Sequence, residues 1–385
     1  MGVRHHHRGE PGRSRQTGAH LPGRRRRRAG VPDGMRTPII DANVQPHFRY
    51  NSEIRRYLPA AHKLRAIPDV EQQWYQAPGG DYRQDLYGEH YPGSDPETVA
   101  RHLVDGGVDV AILNPLTRGN IADYLLNSCI CAAVNDWLIE RWLEADTTGR
   151  LRGTIRVNPE DVKGAVAEIE RLARHPQMAQ VGVPLQSREP YGKPMFEPIW
   201  EAAAAHGLPV AVHINGGNGV DYAPTFAGHA HTYPGYAALM PLNAFVHLAT
   251  LIIEGTFGRH AGLRFVFADG GYDILTPLMW RLDTFWMSMR DQTPWVDRYP
   301  SQYLRDHVRF CTSALDGPTD TTLTERWMDY TDKSTLLMYG SNYPHWSTTA
   351  VESAVAGLND VQREKVLWRN AAELYAIAEL EGSRL

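Results

Sequence analysis

A chain of 385 residues with 42% hydrophobic, 10% aromatic and 22% charged side chains has the size and make-up of a folded enzyme, and its ten tryptophans exclude a disordered protein. The formal charge of −4 is uneven, because residues 1–34 carry Arg4, Arg8, Arg13, Arg15 and Arg24 to Arg28 against only Glu10 and Asp33. That stretch is +7 and the remainder about −11, a balance that argues against nucleic acid as a partner of the folded part.

Residues 1–34 read as a disordered Arg-rich tail, with His5 to His7 as a low-complexity stretch and Met35 as an alternative start; residues 35–385 read as one domain. No apolar run reaches the roughly 18 residues of a membrane span, and no signal core follows the start, so no membrane partner is expected and the cytoplasm is the default compartment. Cys129, Cys131 and Cys311 support neither a disulfide framework nor a zinc knuckle.

From Pro38 onward, short β-rich apolar runs alternate with helical patterns, the rhythm of parallel strands joined by crossover helices. The predicted strands are Ile39 to Val44, Val108 to Leu113, Leu151 to Val157, Gln180 to Leu185, Pro209 to Ile214, Leu263 to Ala268, His307 to Cys311 and Thr335 to Tyr339. Helices are predicted over Ile121 to Ala145, Pro159 to Arg174, Phe196 to His206, Tyr236 to Phe257, Thr319 to Tyr330 and Asp360 to Glu379. In the first of these, Leu126, Ile130, Val134, Leu138 and Trp142 share one face.

Eight strands with intervening helices predict an α/β fold, a (β/α)8 TIM barrel, and the missing GxGxxG after the first strand removes the main support for a dinucleotide fold. The connection from Pro46 to Pro96 is a long insertion after strand one, carrying Trp74, Tyr75, Tyr82, Tyr87 and Tyr91 in the manner of a lid, a dimer arm or a small solvated subdomain.

A barrel places function at the C-terminal ends of its strands. Those ends read Asp41-Ala42-Asn43-Val44-Gln45-Pro46-His47, then His213, then Asp269 before Gly270-Gly271, then Asn342 and His345 in Tyr339-Gly340-Ser341-Asn342-Tyr343-Pro344-His345-Trp346. By strand alternation Asp41, Asn43 and Gln45 are expected to point together into the mouth. His229 and His231, in a Gly-rich loop, have ligand-like spacing but read as surface histidines.

With these residues in place, the chain from Pro38 to about Ile377 resembles the amidohydrolase superfamily, in the branch holding metal-dependent decarboxylases of small unsaturated or aromatic acids and related hydrolases. The stretch Gly255 to Trp286 and the strand-eight motif YGSNYPHW carry the resemblance. The family takes two metal ligands from strand one, a His from strand five and an Asp from strand eight; carried across, these positions are Asn43, Gln45, His213 and Asn342. Only His213 keeps a ligand type. Carboxamides are weak neutral donors for a zinc-like ion, so the expectation is no cofactor, with residual zinc the exception. A shifted loop that brings in His47 would be the route to a rearranged metal site, though Pro46 interrupts the strand before it.

The residues left behind suit proton chemistry. His213 is expected to act as general acid or base and Asp269 to orient it or take a proton; Asn43, Gln45, His47, Asn342 and His345 are expected to bind substrate. The leading expectation is a metal-independent lyase or hydrolase acting on a small carboxylated or carbonyl molecule. The alternatives are a metal-dependent decarboxylase or hydrolase with rearranged ligands, and a non-catalytic barrel that binds a metabolite or partner. The resemblance implies a homodimer.

Overall fold

In a computed structural model, residues 36–67, 85, 92–117, 121–214, 228–269, 271–313, 317–318, 320–330 and 332–377 are described. The Arg-rich tail, Met35, the aromatic cluster from Trp74 to Tyr91 and the glycines 216, 217, 219 and 270 lie outside them.

All eight expected strands form: β1 (Ile40–Val44), β2 (Val110–Leu113), β3 (Leu151–Arg156), β4 (Met178–Pro184), β5 (Val210–His213), β6 (Phe265–Phe267), β7 (Val308–Cys311) and β8 (Leu337–Met338). They pair in parallel in sequence order from β1 to β8. The ends then meet: Ala42 N donates to Tyr339 O (2.8 Å), Asn342 N to Asn43 O (2.9 Å) and Gln45 N to Tyr343 O (2.8 Å), so the sheet closes on itself. The fold is a TIM barrel with helices in the crossovers.

Strand alternation divides the apolar residues into two bodies. Ile40, Ala42, Val110, Ile112, Ala211, Val266, Cys311 and Met338 fill the interior together with Trp368, Ala371 and Ile377. The alternate residues, such as Val181, Val210, Val212, Phe265, Phe267 and Phe310, join the larger core that the helices cover.

Helix starts follow their caps. The helix predicted from Ile121 begins at Tyr124, because the Asp123 carboxylate accepts from Leu126 N at 2.9 Å. It ends in a π turn, Ile139–Leu143, that seats Trp142 in the core. The helix predicted from Pro159 likewise begins at Val162, behind Asp161. The segment Tyr233–Ile253 has mean hydropathy 1.7 and is long enough to span a membrane, yet half of its apolar window is buried within the protein. Its Ala244, Leu248, Leu251 and Ile252 pack into the wall core and the Nε2–H of the buried His247 donates to Leu185 O (2.8 Å), which is how a core helix is built.

One expectation about β1 is corrected. The register slips between Asp41 and Val44, a β-bulge, so Asp41 lies level with the outward Ala111 and does not share the mouth with Asn43 and Gln45. Its carboxylate accepts from Asn43 N (3.1 Å) and Ser341 N (2.9 Å), bracing the β1–β8 seam. Burial raises its pKa from 3.8 to about 6, against the lowering pull of those hydrogen bonds. The folded chain therefore holds this proton more tightly than the unfolded one, so between pH 4 and pH 6 stability falls as pH rises. The swing from this group is about 3 kcal/mol. An Asp41→Asn variant is expected to lose that part of the slope in urea titrations run at pH 4.5 and pH 7.5. An unchanged slope would show that Asp41 is not its source.

Candidate active site

The C-terminal mouth of the barrel gathers Asn43 and Gln45 from β1, His213 from the end of β5, Asp269 beyond β6 and Asn342 beyond β8, all but Asp269 being fully buried. The Nδ1 of His213 is 2.5 Å from the carbonyl oxygen of Ile214, an acceptor, so that nitrogen carries a proton. Burial holds the ring's pKa below the ordinary 6.5, while Asp269 and the Ile214 carbonyl pull it up and Arg156 pushes it down. The neutral ring thus presents a bare Nε2 to the site.

Three groups surround that nitrogen. Gln45 Nε2 donates to it from 3.2 Å, Asn43 Oδ1 stands at 3.1 Å and Asp269 Oδ1 at 3.6 Å. The amide stabilises the unprotonated form, and the two oxygens stabilise the imidazolium. A proton can be taken up or returned here at little cost in rearrangement.

The orientation of the amides is fixed from below. Tyr375 Oη donates to Gln180 Oε1 (2.8 Å), Gln180 Nε2 to Asn114 Oδ1 (2.7 Å), and Asn114 Nδ2 to Asn43 Oδ1 (3.0 Å). Thr154 Oγ1 also donates to Asn114 Oδ1 at 2.8 Å. Asn43 Nδ2 then faces Ala268 O and Ser313 Oγ, both at 3.2 Å, and Asn342 Oδ1 at 3.4 Å. Gln45 Nε2 closes the ring by donating to Asn342 Oδ1. Asn342 adopts a left-handed φ of 61°, a conformation asparagine tolerates, and its Nδ2 donates to Ser347 Oγ (3.1 Å). Gly340 permits the close approach of the strands beneath, since a Cβ there would stand 3.1 Å from Asn43 Cβ and 2.8 Å from Cys311 Cβ.

His345 sits half-buried at the rim, hydrogen-bonded through Nδ1 to Ser347 Oγ (2.8 Å). Burial, aided by His213, pushes its pKa down to about 4, so it is neutral at pH 7. His47 is buried but does not join the ring: its Nδ1 meets the carbonyl of Phe48, its backbone N–H bonds Gly93 O (2.8 Å), and its ring rests on Phe48. His229 and His231 are exposed.

Asp269 acts on the loop as well as on the ring, because its Oδ2 accepts from Ile214 N at 2.5 Å and so ties the chain beyond β5 to β6. Sequence reasoning passed over Asn114, Ser313 and Arg156. The first two are common polar residues whose only signal is a position just past a predicted strand. Arg156, the last residue of β3, is 1% exposed, and the signal for it is a charge ending an otherwise buried strand.

A family model for amidohydrolases matches residues 87–377. The chain belongs to the amidohydrolase family. Solved structures of the same fold include the amidohydrolase map2389c from Mycobacterium avium subsp. paratuberculosis K-10, at 17% identity and TM-score 0.67, covering 89% of this chain and 100% of that one. The 5-carboxyvanillate decarboxylase LigW from Sphingomonas paucimobilis matches at 21% identity and TM-score 0.64, over 89% of this chain and 99% of that one. A dihydroxybenzoic acid decarboxylase from Polaromonas sp. JS666, solved with bound manganese and the inhibitor 2-nitroresorcinol, matches at 17% identity and TM-score 0.63, over 89% and 98%. At these identities the likeness establishes the fold. No curated protein matches the chain.

This amidohydrolase is accordingly an enzyme of the hydrolase or carboxy-lyase kind. Its donor set does not suit the divalent metal that several neighbours bind. Among the described residues no three His, Cys, Asp or Glu side chains come together to hold an ion. At the four positions carried over from the family, one imidazole meets three neutral amides, and the N–H groups of Asn43 and Gln45 converge on Asn342 Oδ1. A dication would find N–H dipoles and no carboxylate among those four.

Proposed function

We propose that this amidohydrolase is a metal-independent lyase or hydrolase that cleaves a small carboxylated or carbonyl substrate by decarboxylation, C–C cleavage or lactone or ester opening, with His213 moving the proton. The observation that carries this reading is the ring of oriented amides around His213 Nε2, at positions where the family places metal ligands. In the resting state Nε2 is a base held by Gln45. It takes a proton from the attacking water in hydrolysis, or from water or an acidic group of the substrate in decarboxylation. Asn43 Oδ1 and Asp269 Oδ1 then accept from or attract the imidazolium, and the same nitrogen delivers the proton to the departing alkoxide or to the carbanion left when CO2 departs. The amides of Gln45 and Asn342 bind the oxygens on which charge develops. The decarboxylases of hydroxylated benzoic acids among the structural neighbours make small aromatic acids the first compounds to screen.

The test combines metal analysis with turnover on a panel of small acids, esters and lactones. Purified protein is expected to hold far less than one metal ion per chain, and turnover is expected to survive prolonged chelation and to gain nothing from zinc or manganese. Stoichiometric metal together with activity lost on chelation would overturn the proposal.

A further inference from the structure

Arg156 ends β3 with its side chain on the interior face. Its Cδ and Nη1 and the Cγ2 of Thr154 crowd the same empty spot, where a Cβ on Gly182 would lie 3.2 Å, 2.8 Å and 2.6 Å from them. Thr154 is an interior residue by its hydrogen bonds to Asn114 and Gln180. The guanidinium therefore lies over β4 at a residue without a side chain. The register places Arg156 beside Gly182 and Gly182 beside Ala211, two residues before His213 on β5. Two small residues in one row leave a lane across the barrel from β3 toward His213. The strands bounding that lane are roughly 10 Å apart, a span that an extended arginine mostly covers.

Packing alone does not call for a cation here. Apolar side chains of similar volume fill a buried position with equal or greater stability. Burial lowers the pKa of Arg156, while Cys131, Tyr191 and Asp269 beside His213 favour its charged form. The fork of a guanidinium matches a carboxylate in shape and charge.

We propose that Arg156 is the carboxylate anchor of the site, binding the acid group of a small organic acid and directing the adjoining carbon or carbonyl toward His213 Nε2. This rests on the reading of the mouth as a site for small acids, and adds which residue recognises the acid and why Gly182 is glycine.

The experiment is calorimetric titration of the full chain with benzoate, salicylate and pyruvate, each beside its neutral amide. The wild type is expected to bind at least one acid about 10- to 100-fold more tightly than its amide. Arg156→Gln is expected to abolish that preference, and Arg156→Lys to keep part of it. Gly182→Ala sets a methyl group against Nη1 and is expected to weaken the preference with the charge still present. Thermal unfolding of each variant checks its fold. His213→Ala is expected to retain the preference while losing turnover, which separates failure of the anchor from failure of the proton-transfer reading. The proposal is overturned if the wild type prefers no acid over its amide, or if a folded Arg156→Gln binds as the wild type does. Should Arg156→Gln not fold, an undiminished preference in both Arg156→Lys and Gly182→Ala overturns it equally.

Discussion

Replacement of His213 by alanine is expected to lower turnover by about 100- to 10,000-fold, the range typical of a lost acid–base group, with cooperative unfolding retained. The reason is local. Nε2 is a basic nitrogen held 3.2 Å from the Gln45 amide, and the carboxamides around it neither gain nor lose a proton near neutral pH. In the wild type, kcat/KM is expected to be level near pH 7 to 8 and to fall on acidification as His213 becomes charged. Because burial lowers its pKa, that limb lies below the ordinary imidazole value of 6.5. A His213→Ala enzyme that kept a tenth of the turnover, or a limb unchanged by the substitution, would remove His213 from the chemistry.

Trp200→Ala is expected to destabilise the fold by about 3 to 5 kcal/mol, measured by equilibrium urea unfolding. Trp200 lies in the helix Glu197–Ala205, is wholly buried, and meets the edges of Tyr191 at 5.6 Å and Phe265 at 5.2 Å. Its indole N–H also donates to Tyr191 O at 3.0 Å, so the truncation leaves both a large void and a buried carbonyl without its donor. Phe265 opens β6, the strand that carries Asp269 beyond its end. A loss below about 1 kcal/mol would mean that the wall collapses around the gap.

The strands were legible because each is a short apolar run set off from amphipathic helices, a pattern that survives without knowledge of tertiary contacts. The helices Pro96–Asp105 and Pro300–His307 were not, the second being too short and polar to show a face. Tyr272–Met289, whose Pro277 reads as a breaker, was marked by the resemblance and not by periodicity, through Trp280-Arg281-Leu282-Asp283. The members of the ring, Asn43, Gln45, His213 and Asn342, follow from strand ends and resemblance, but their mutual hydrogen bonds span up to 299 positions in the chain and exist only once the barrel closes. Asp41 was misplaced for a related reason: strict alternation assigns it to the mouth, and a bulge that no local motif announces turns it to the seam. Arg156 escaped notice because its meaning depends on a glycine in the neighbouring strand.

The short β8 has a consequence for how occupancy is felt by the whole molecule. With only Leu337 and Met338 in regular pairing, the last join of the barrel is made largely by the segments that bear Asn43, Gln45 and Asn342. On the function proposed above, the clasp of the hoop and the grip on the substrate are the same few residues. A molecule held between them tightens the clasp, so ligand binding should register as resistance to unfolding in the first and last staves before it registers anywhere else.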